Sequence, residues 1–214
     1  KEEIDNIVSS LGKEQIIMIT GSPGVGKTRL ALEVMERFKQ INTEYKLKCL
    51  RNNGQNIYDD LNLYFSEPGS YLLMLDDANL LTNIQLILDL FSLESNGIKI
   101  KLILTVRDYA EAEVINKISN YSFKIFRLTP LNTDNIQSIC EHFGVYNKHY
   151  INRINEIAKG NPRLAIMGCK TARKENNLSS LSNALKIVES YYREINTYFE
   201  IDLQNEELLK VGAI

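Results

Sequence analysis

The sequence predicts an α/β protein: a doubly wound parallel sheet of five strands, with only helices after it. Three observations carry this. β-rich apolar runs of strand length recur, separated by segments with helical spacing. A Gly-rich stretch follows the first run directly, and after Pro130 no further strand-like run occurs. Strands that alternate with helices argue for a parallel sheet covered on both faces.

The first strand is IIMIT (16–20); the Gly-rich stretch 21–28 follows, and then Ala31, Val34, Met35 and Phe38 recur at helical spacing. A strand at 45–50, a polar helix near 55–65 and the strand 71–75 come next. A helix bearing Ile84, Ile87, Leu88 and Phe91 leads to the strand 98–105, a helix near 110–119 and a last strand at 122–128. Beyond Pro130, Thr133 is the expected cap of a helix carrying Ile136, Ile139, Cys140 and Phe143, stopped by Gly144. A second helix spans about 148–159 and is closed by Gly160; Asn161 and Pro162 read as cap and first position of a third. The expected domains are therefore 1–130, a small helical domain at 131–175, and a further helical segment at 176–214. In that last segment ENNLSS (175–180) reads as a linker. Leu181, Leu185, Val188, Tyr192, Ile195 and Phe199 then form a narrow helical seam, fit to pack on the chain's own bundle or on a partner helix.

At 214 residues the chain can bury a sizeable core. With 44% hydrophobic and 24% charged residues it is neither disordered nor collagen-like. A net charge of -2 disfavours a whole-surface grip on nucleic acid, although a local patch such as Lys46, Lys48 and Arg51 is available. Cys49, Cys140 and Cys169 are odd in number, widely spaced and without a nearby His pattern, so buried thiols are expected rather than disulfides or zinc. No run is long enough to span a membrane and KEEIDN lacks the apolar stretch of a signal peptide, which together suggest a cytoplasmic protein. The missing initial Met and the apolar end LLKVGAI read as a piece of a longer polypeptide.

GSPGVGKT (21–28) has the phosphate-loop pattern of two glycines followed by Lys and Thr, between a strand and a helix. Its flexible backbone can turn N–H groups toward a polyphosphate, and the following helix adds its positive end. Gly21, Ser22, Pro23, Gly24, Val25, Gly26, Lys27, Thr28 and Arg29 are thus the expected binding residues for ATP or ADP. Within the loop Lys27 would reach the β- and γ-phosphates and Thr28 would hold Mg²⁺. The strand YLLML ends on Asp76 and Asp77, which makes Asp76 the candidate metal-side acid and Asp77 the candidate for orienting or deprotonating a water. Asp77 could equally be a solvated acid or the cap of the next helix. TVRD (105–108) emerges on the same sheet edge; Arg107 could contact the γ-phosphate, or could pair with a helix-start acid such as Asp108 or Glu111. In GNPRLAI (160–166), Pro162 could press on adenine and Arg163 reach the phosphates, or Gly and Pro could simply stop and start helices.

In this order GSPGVGKT, LLMLDDAN, TVRD and GNPRLA resemble the STAND class of P-loop ATPases, the signalling branch of the AAA+ superfamily. FRLTPLN (126–132) is similar to that class's approach to its helical lid, and LQNEELLKVGAI to the first helix of its winged-helix domain. Bacterial antiviral-defence members are the most similar. The resemblance implies ATP/ADP and Mg²⁺ as cofactors, slow hydrolysis using Lys27, Asp77 and Arg107, oligomerisation with other copies in the ATP state, and effector and sensor domains in the same longer chain. One departure is Arg163, where STAND proteins of the plant-resistance and apoptosome type usually carry Leu. It is similar to the lid arginine of origin-recognition and clamp-loader proteins, and supports the alternative of a DNA-handling AAA+ ATPase. A module that binds nucleotide without hydrolysing it is a further option. A GTPase is disfavoured, because NKIS (116–119) lacks the Asp of a guanine-reading motif and lies in an expected helix.

Overall fold

The structure is a computed structural model that describes residues 2–51, 65, 67–81, 84–89, 91, 97–175 and 177–188. The polar helix expected near 55–65, most of the seam beyond Val188 and the winged-helix start at 203–214 lie outside the described residues, Phe65 apart. The chain divides into two compact units between Thr129 and Pro130.

The first unit opens with a helix that the sequence reading missed, α1 (Glu2–Lys13). Its polar exterior hides an apolar stripe; Ile7, Val8 and Leu11 are buried. Next come β1 (Ile16–Gly21), α2 (Lys27–Ile41), β2 (Tyr45–Arg51), β3 (Gly69–Asp76), α3 (Ile84–Leu88), β4 (Ile98–Arg107), α4 (Glu111–Ile118) and β5 (Phe123–Arg127). Two short 3₁₀ turns, Ala78–Leu80 and Asp108–Ala110, follow β3 and β4. The strands form one parallel five-stranded sheet in the order β2-β3-β4-β1-β5.

Helices cover both faces, as the near-continuous apolar runs require. On one face Ile17, Ile19, Leu72, Met74 and Ile103 pack with Ile7 and Leu11 of α1 and with Ala31, Val34, Met35 and Phe38 of α2. On the other, Met18, Leu73, Leu75, Leu102 and Leu104 pack with Ile84, Ile87 and Leu88 of α3 and Val114 and Ile118 of α4. Burying each of these larger side chains contributes about 1.5–3 kcal/mol relative to leaving it in water. The same order places β4 between β3 and β1, so the ends of Asp76, Arg107 and Gly21 become neighbours: Gly21 pairs in register with Arg107.

The second unit contains α5 (Thr133–His142), α6 (Lys148–Ala158) and α7 (Pro162–Glu175), then a 3₁₀ turn at Leu178–Leu181. Its core gathers Ile136, Cys140, Ile151, Ile154, Ala165, Cys169, Leu181 and Ile187. The cap of α5 is Asn132 rather than Thr133: the Asn132 side chain accepts from the Asn135 N–H at 2.8 Å, and Thr133 is the first helical residue. Lys159, at φ 46°, leaves α6 before Gly160 does. Gly160 is needed for a second reason, since a Cβ there would lie 2.5 Å from the Leu131 carbonyl oxygen. Asn161 does cap α7, accepting from the N–H groups of Arg163 and Leu164. Leu185, expected in the apolar seam, is 66% exposed, while Ile187 is buried.

Two of the three cysteines are buried as expected. Cys169 Sγ donates to Cys140 Sγ at 3.4 Å, both as free thiols, and that hydrogen bond, together with burial, pushes the Cys169 thiol up. Cys49 is exposed, a correction to the expectation of three buried thiols. Among the described residues no helix is long and apolar enough to cross a membrane.

Candidate functional site

The loop between β1 and α2 is built for close turns. Gly26 precedes α2 at φ 106°, a left-handed conformation that a side chain would strain, and a Cβ there would meet nothing within 4 Å. No side chain caps the helix, so the first backbone N–H groups of α2 stay available to an anion beside the open face of Gly26.

Lys27 is the first residue of α2 and is only 7% exposed. Its ammonium donates to the carbonyls of Gly21 at 2.8 Å and Ser22 at 3.1 Å, which folds the side chain back along the loop. Burial lowers the Lys27 pKa; Asp77 opposes that most, Arg107 adds to it, and Asp108 and Asp76 oppose it further. Thr28, one residue on, donates its hydroxyl to Asp76 Oδ1 at 2.7 Å.

The ends of β3 and β4 complete the cluster. The fully buried Thr105 hydroxyl donates to Asp76 Oδ1 at 2.8 Å and accepts from the Asp77 N–H at 2.8 Å, so one side chain fixes both acids. Asp77 is left-handed, φ 48° and ψ 51°, an uncommon state for a residue with a side chain. Its Oδ2 accepts from Arg107 Nη2 at 3.4 Å, and this partner raises the Arg107 pKa. Asn79 accepts from the Arg107 N–H at 3.2 Å, holding the backbone that carries the guanidinium. Ser22 reaches the same strand end from the loop: its hydroxyl donates to Asp108 Oδ2 at 2.8 Å.

Lys27, Thr28, Asp76, Asp77 and Arg107, chosen as separate motifs, are therefore linked through direct bonds or Thr105 into one cluster with the loop Gly21–Gly26. The Arg107 partner is neither Asp108 nor Glu111; Asp108 takes Ser22, and Glu111 pairs with Arg127. Asp77 stands at the cap position of the Ala78–Leu80 turn, but its side chain makes no capping bond. Arg29 lies on α2 and pairs with Glu33 one turn along. Pro162 and Arg163 belong to the second unit, where Pro162 begins α7 and Arg163 is exposed. NKIS lies on α4, with Lys117 bonded to Glu113 at 2.6 Å.

From sequence Thr105 and Asn79 carry no role, and Asp108 reads only as a possible partner of Arg107. For Thr105 a signal existed: a hydroxyl set inside the apolar run LILTV must find a partner once buried.

The donors suit Mg²⁺. A hydroxyl and a carboxylate are hard oxygen ligands, and Mg²⁺ takes one or two carboxylates with phosphate oxygens and water. Among the described residues no group of three or more His, Cys, Asp or Glu side chains could hold a metal by itself.

No protein-family model matches the chain, and no curated protein matches it. Solved structures share its fold. A RuvB variant from Thermotoga maritima aligns over 89% of this chain and 67% of its own, at TM-score 0.63 and 17% identity. The Walker-type ATPase of Pyrococcus abyssi aligns over 100% of this chain and 76% of its own, at TM-score 0.59 and 13% identity. AMPPCP-bound DnaA from Aquifex aeolicus aligns over 90% of this chain and 65% of its own, at TM-score 0.55 and 18% identity. The chain spans about two thirds of the length of the RuvB and DnaA chains, and its α/β fold with helices following is shared with all three of these structures.

Proposed function

We propose that the chain is the Mg²⁺-dependent, ATP-binding and slowly hydrolysing switch of a larger protein, a STAND-class signalling ATPase of the antiviral-defence kind. Copies of it oligomerise in the ATP state and activate an effector. The observation that carries the reading is the convergence of Asp76 and Asp77 on Thr28, Thr105 and Arg107 across neighbouring strand ends.

Each residue then has a task. The loop N–H groups and the start of α2 receive the phosphates. Lys27 spends two of its three N–H donors on Gly21 and Ser22, which aims the third at a phosphate oxygen. Thr28 and Asp76 would hold Mg²⁺, which would supply positive charge against the phosphates. Arg107 can exchange Asp77 for a γ-phosphate oxygen, because its planar guanidinium serves carboxylate and phosphate alike. That exchange leaves the carboxylate of Asp77, whose backbone N–H is fixed by Thr105, to orient or deprotonate the attacking water. Pro162 and Arg163 enter as nucleotide contacts on the strength of the resemblance alone.

Calorimetry with ATP and ADP tests the site. Lys27→Ala removes charged hydrogen bonds that contribute about 3 kcal/mol together, so affinity should fall about 100-fold; undiminished affinity would sink the assignment. A second reading, a DNA-handling AAA+ ATPase of the origin-recognition or clamp-loader type, is favoured by Arg163 and compatible with the fold shared with RuvB and DnaA. ATPase activity stimulated by DNA, with the stimulation lost as salt rises, would select it over the signalling switch.

A further inference from the structure

We propose that Asp108 sets the balance between nucleoside triphosphate and diphosphate at this site: anchored to the phosphate loop through Ser22, its carboxylate opposes the additional negative charge that Arg107 attracts. This rests on the nucleotide-site reading above and adds to it a residue that discriminates between the two nucleotides.

Three observations converge on Asp108. Its position is fixed at both oxygens, since Oδ2 accepts from the Ser22 hydroxyl at 2.8 Å and Oδ1 from the Tyr109 N–H at 2.9 Å. Both donors are neutral, so they hold the charge in place without cancelling it. Asp108 also directly follows Arg107, whose strand position pairs with Gly21 at the start of the loop. Finally, its charge reaches the phosphate-binding lysine, where Asp108 acts on Lys27 alongside Asp77 and Asp76. The other two acids have charge or metal tasks in this site: Asp77 faces Arg107, and Asp76 shares its oxygen with Thr28 and Thr105. Asp108 faces no guanidinium and shares no oxygen with Thr28, so what its charge adds for a polyanion beside the loop is repulsion.

A triphosphate brings about one more negative charge than a diphosphate. At several ångströms and with solvent screening, one fixed charge then weights the choice by roughly fivefold. Arg107 favours the triphosphate and Asp108 the diphosphate. Adjacent residues of opposite sign thus keep the two affinities near each other, a condition for a switch whose state follows the nucleotide supplied.

The test is calorimetry on the 214-residue chain with Mg²⁺ and either ADP or the non-hydrolysable β,γ-methylene analogue of ATP. Asp108→Asn keeps an oxygen acceptor for Ser22 and removes the charge. It should shift the affinity ratio about fivefold toward the triphosphate at about 50 mM ionic strength, and the shift should shrink at about 0.5 M. Ser22→Ala, which frees the carboxylate, should give a smaller shift in the same direction. An unchanged ratio in Asp108→Asn, or a shift equal at both salt concentrations, overturns the proposal while leaving the site intact. A wild-type chain that binds neither nucleotide overturns the site reading and this proposal with it.

Discussion

The two ends of the same parallel sheet satisfy their polar groups in opposite ways. At the amino end, Gln15 and Ser122 bond each other through backbone and side chain, the buried Lys101 ammonium donates to the Glu14 carbonyl at 2.8 Å, and Lys124 donates to Ser10 at 3.0 Å. Those charged donors meet neutral acceptors, and among the described residues the backbone there has no left-handed residue bearing a side chain. At the carboxyl end an ion pair joins the neutral bonds: Asp77 meets Arg107, Asp76 gathers two hydroxyls, and Asp77 takes a left-handed backbone. Neutral pairing stabilises and stays put. Ionic pairing at an accessible edge can be exchanged for an incoming phosphate, and strain kept at such a place is a mark of function rather than of folding.

This contrast can be pressed at three points. The largest effect is expected at the carboxyl end, where Asp77→Asn should retain nucleotide binding in calorimetry while phosphate release falls about 100- to 1,000-fold. Normal turnover in that variant would remove Asp77 from the chemistry. Next in size, Thr105→Val keeps the shape of the side chain but deprives both acids of their common hydroxyl. Turnover should drop about tenfold and the fold lose about 1–2 kcal/mol in a urea titration, with Thr105→Ser restoring both. If the Val variant lost stability alone, Thr105 would be a structural residue only. The smallest effect belongs to the amino end: Lys101→Met should lower stability by about 1 kcal/mol and leave nucleotide affinity unchanged. Impaired binding there would erase the distinction between the ends.

What was legible follows from how far each interaction reaches along the chain. The strands declare themselves because β1, β3 and β4 are buried on both faces and read as unbroken apolar runs. The phosphate loop is legible because Gly, Lys and Thr at fixed spacing are needed together. α1 is easily overlooked because its four apolar positions, Ile4, Ile7, Val8 and Leu11, though at helical spacing, are set among Glu, Asp, Asn and Ser. Choosing Thr133 over Asn132 as the cap of α5 failed for a local reason: both residue types can cap, and only the extended backbone of Asn132, φ -74° and ψ 171°, decides between them. The Arg107 partner escaped for the opposite reason. Spacing draws attention to acids next in sequence, whereas the partner is Asp77, brought beside it by the pairing of β3 with β4. Thr105 shows the same limit, since no sequence pattern states which carboxylate a buried hydroxyl will meet.

The sheet order has one more consequence, concerning how this protein remains apart from its own copies. β2 and β5 are the outer strands of the described sheet, and an outer strand offers a row of free backbone groups to any other chain. Both carry basic residues among their apolar ones: Lys46 and Lys48 on YKLKCLR, Lys124 and Arg127 on FKIFR. The interior strand β4 has no such protection along LILTV, and relies on neighbours at either side. The basic side chains of β2, which invite comparison with a nucleic-acid patch, are also of the kind that discourages strand-to-strand pairing at an outer edge.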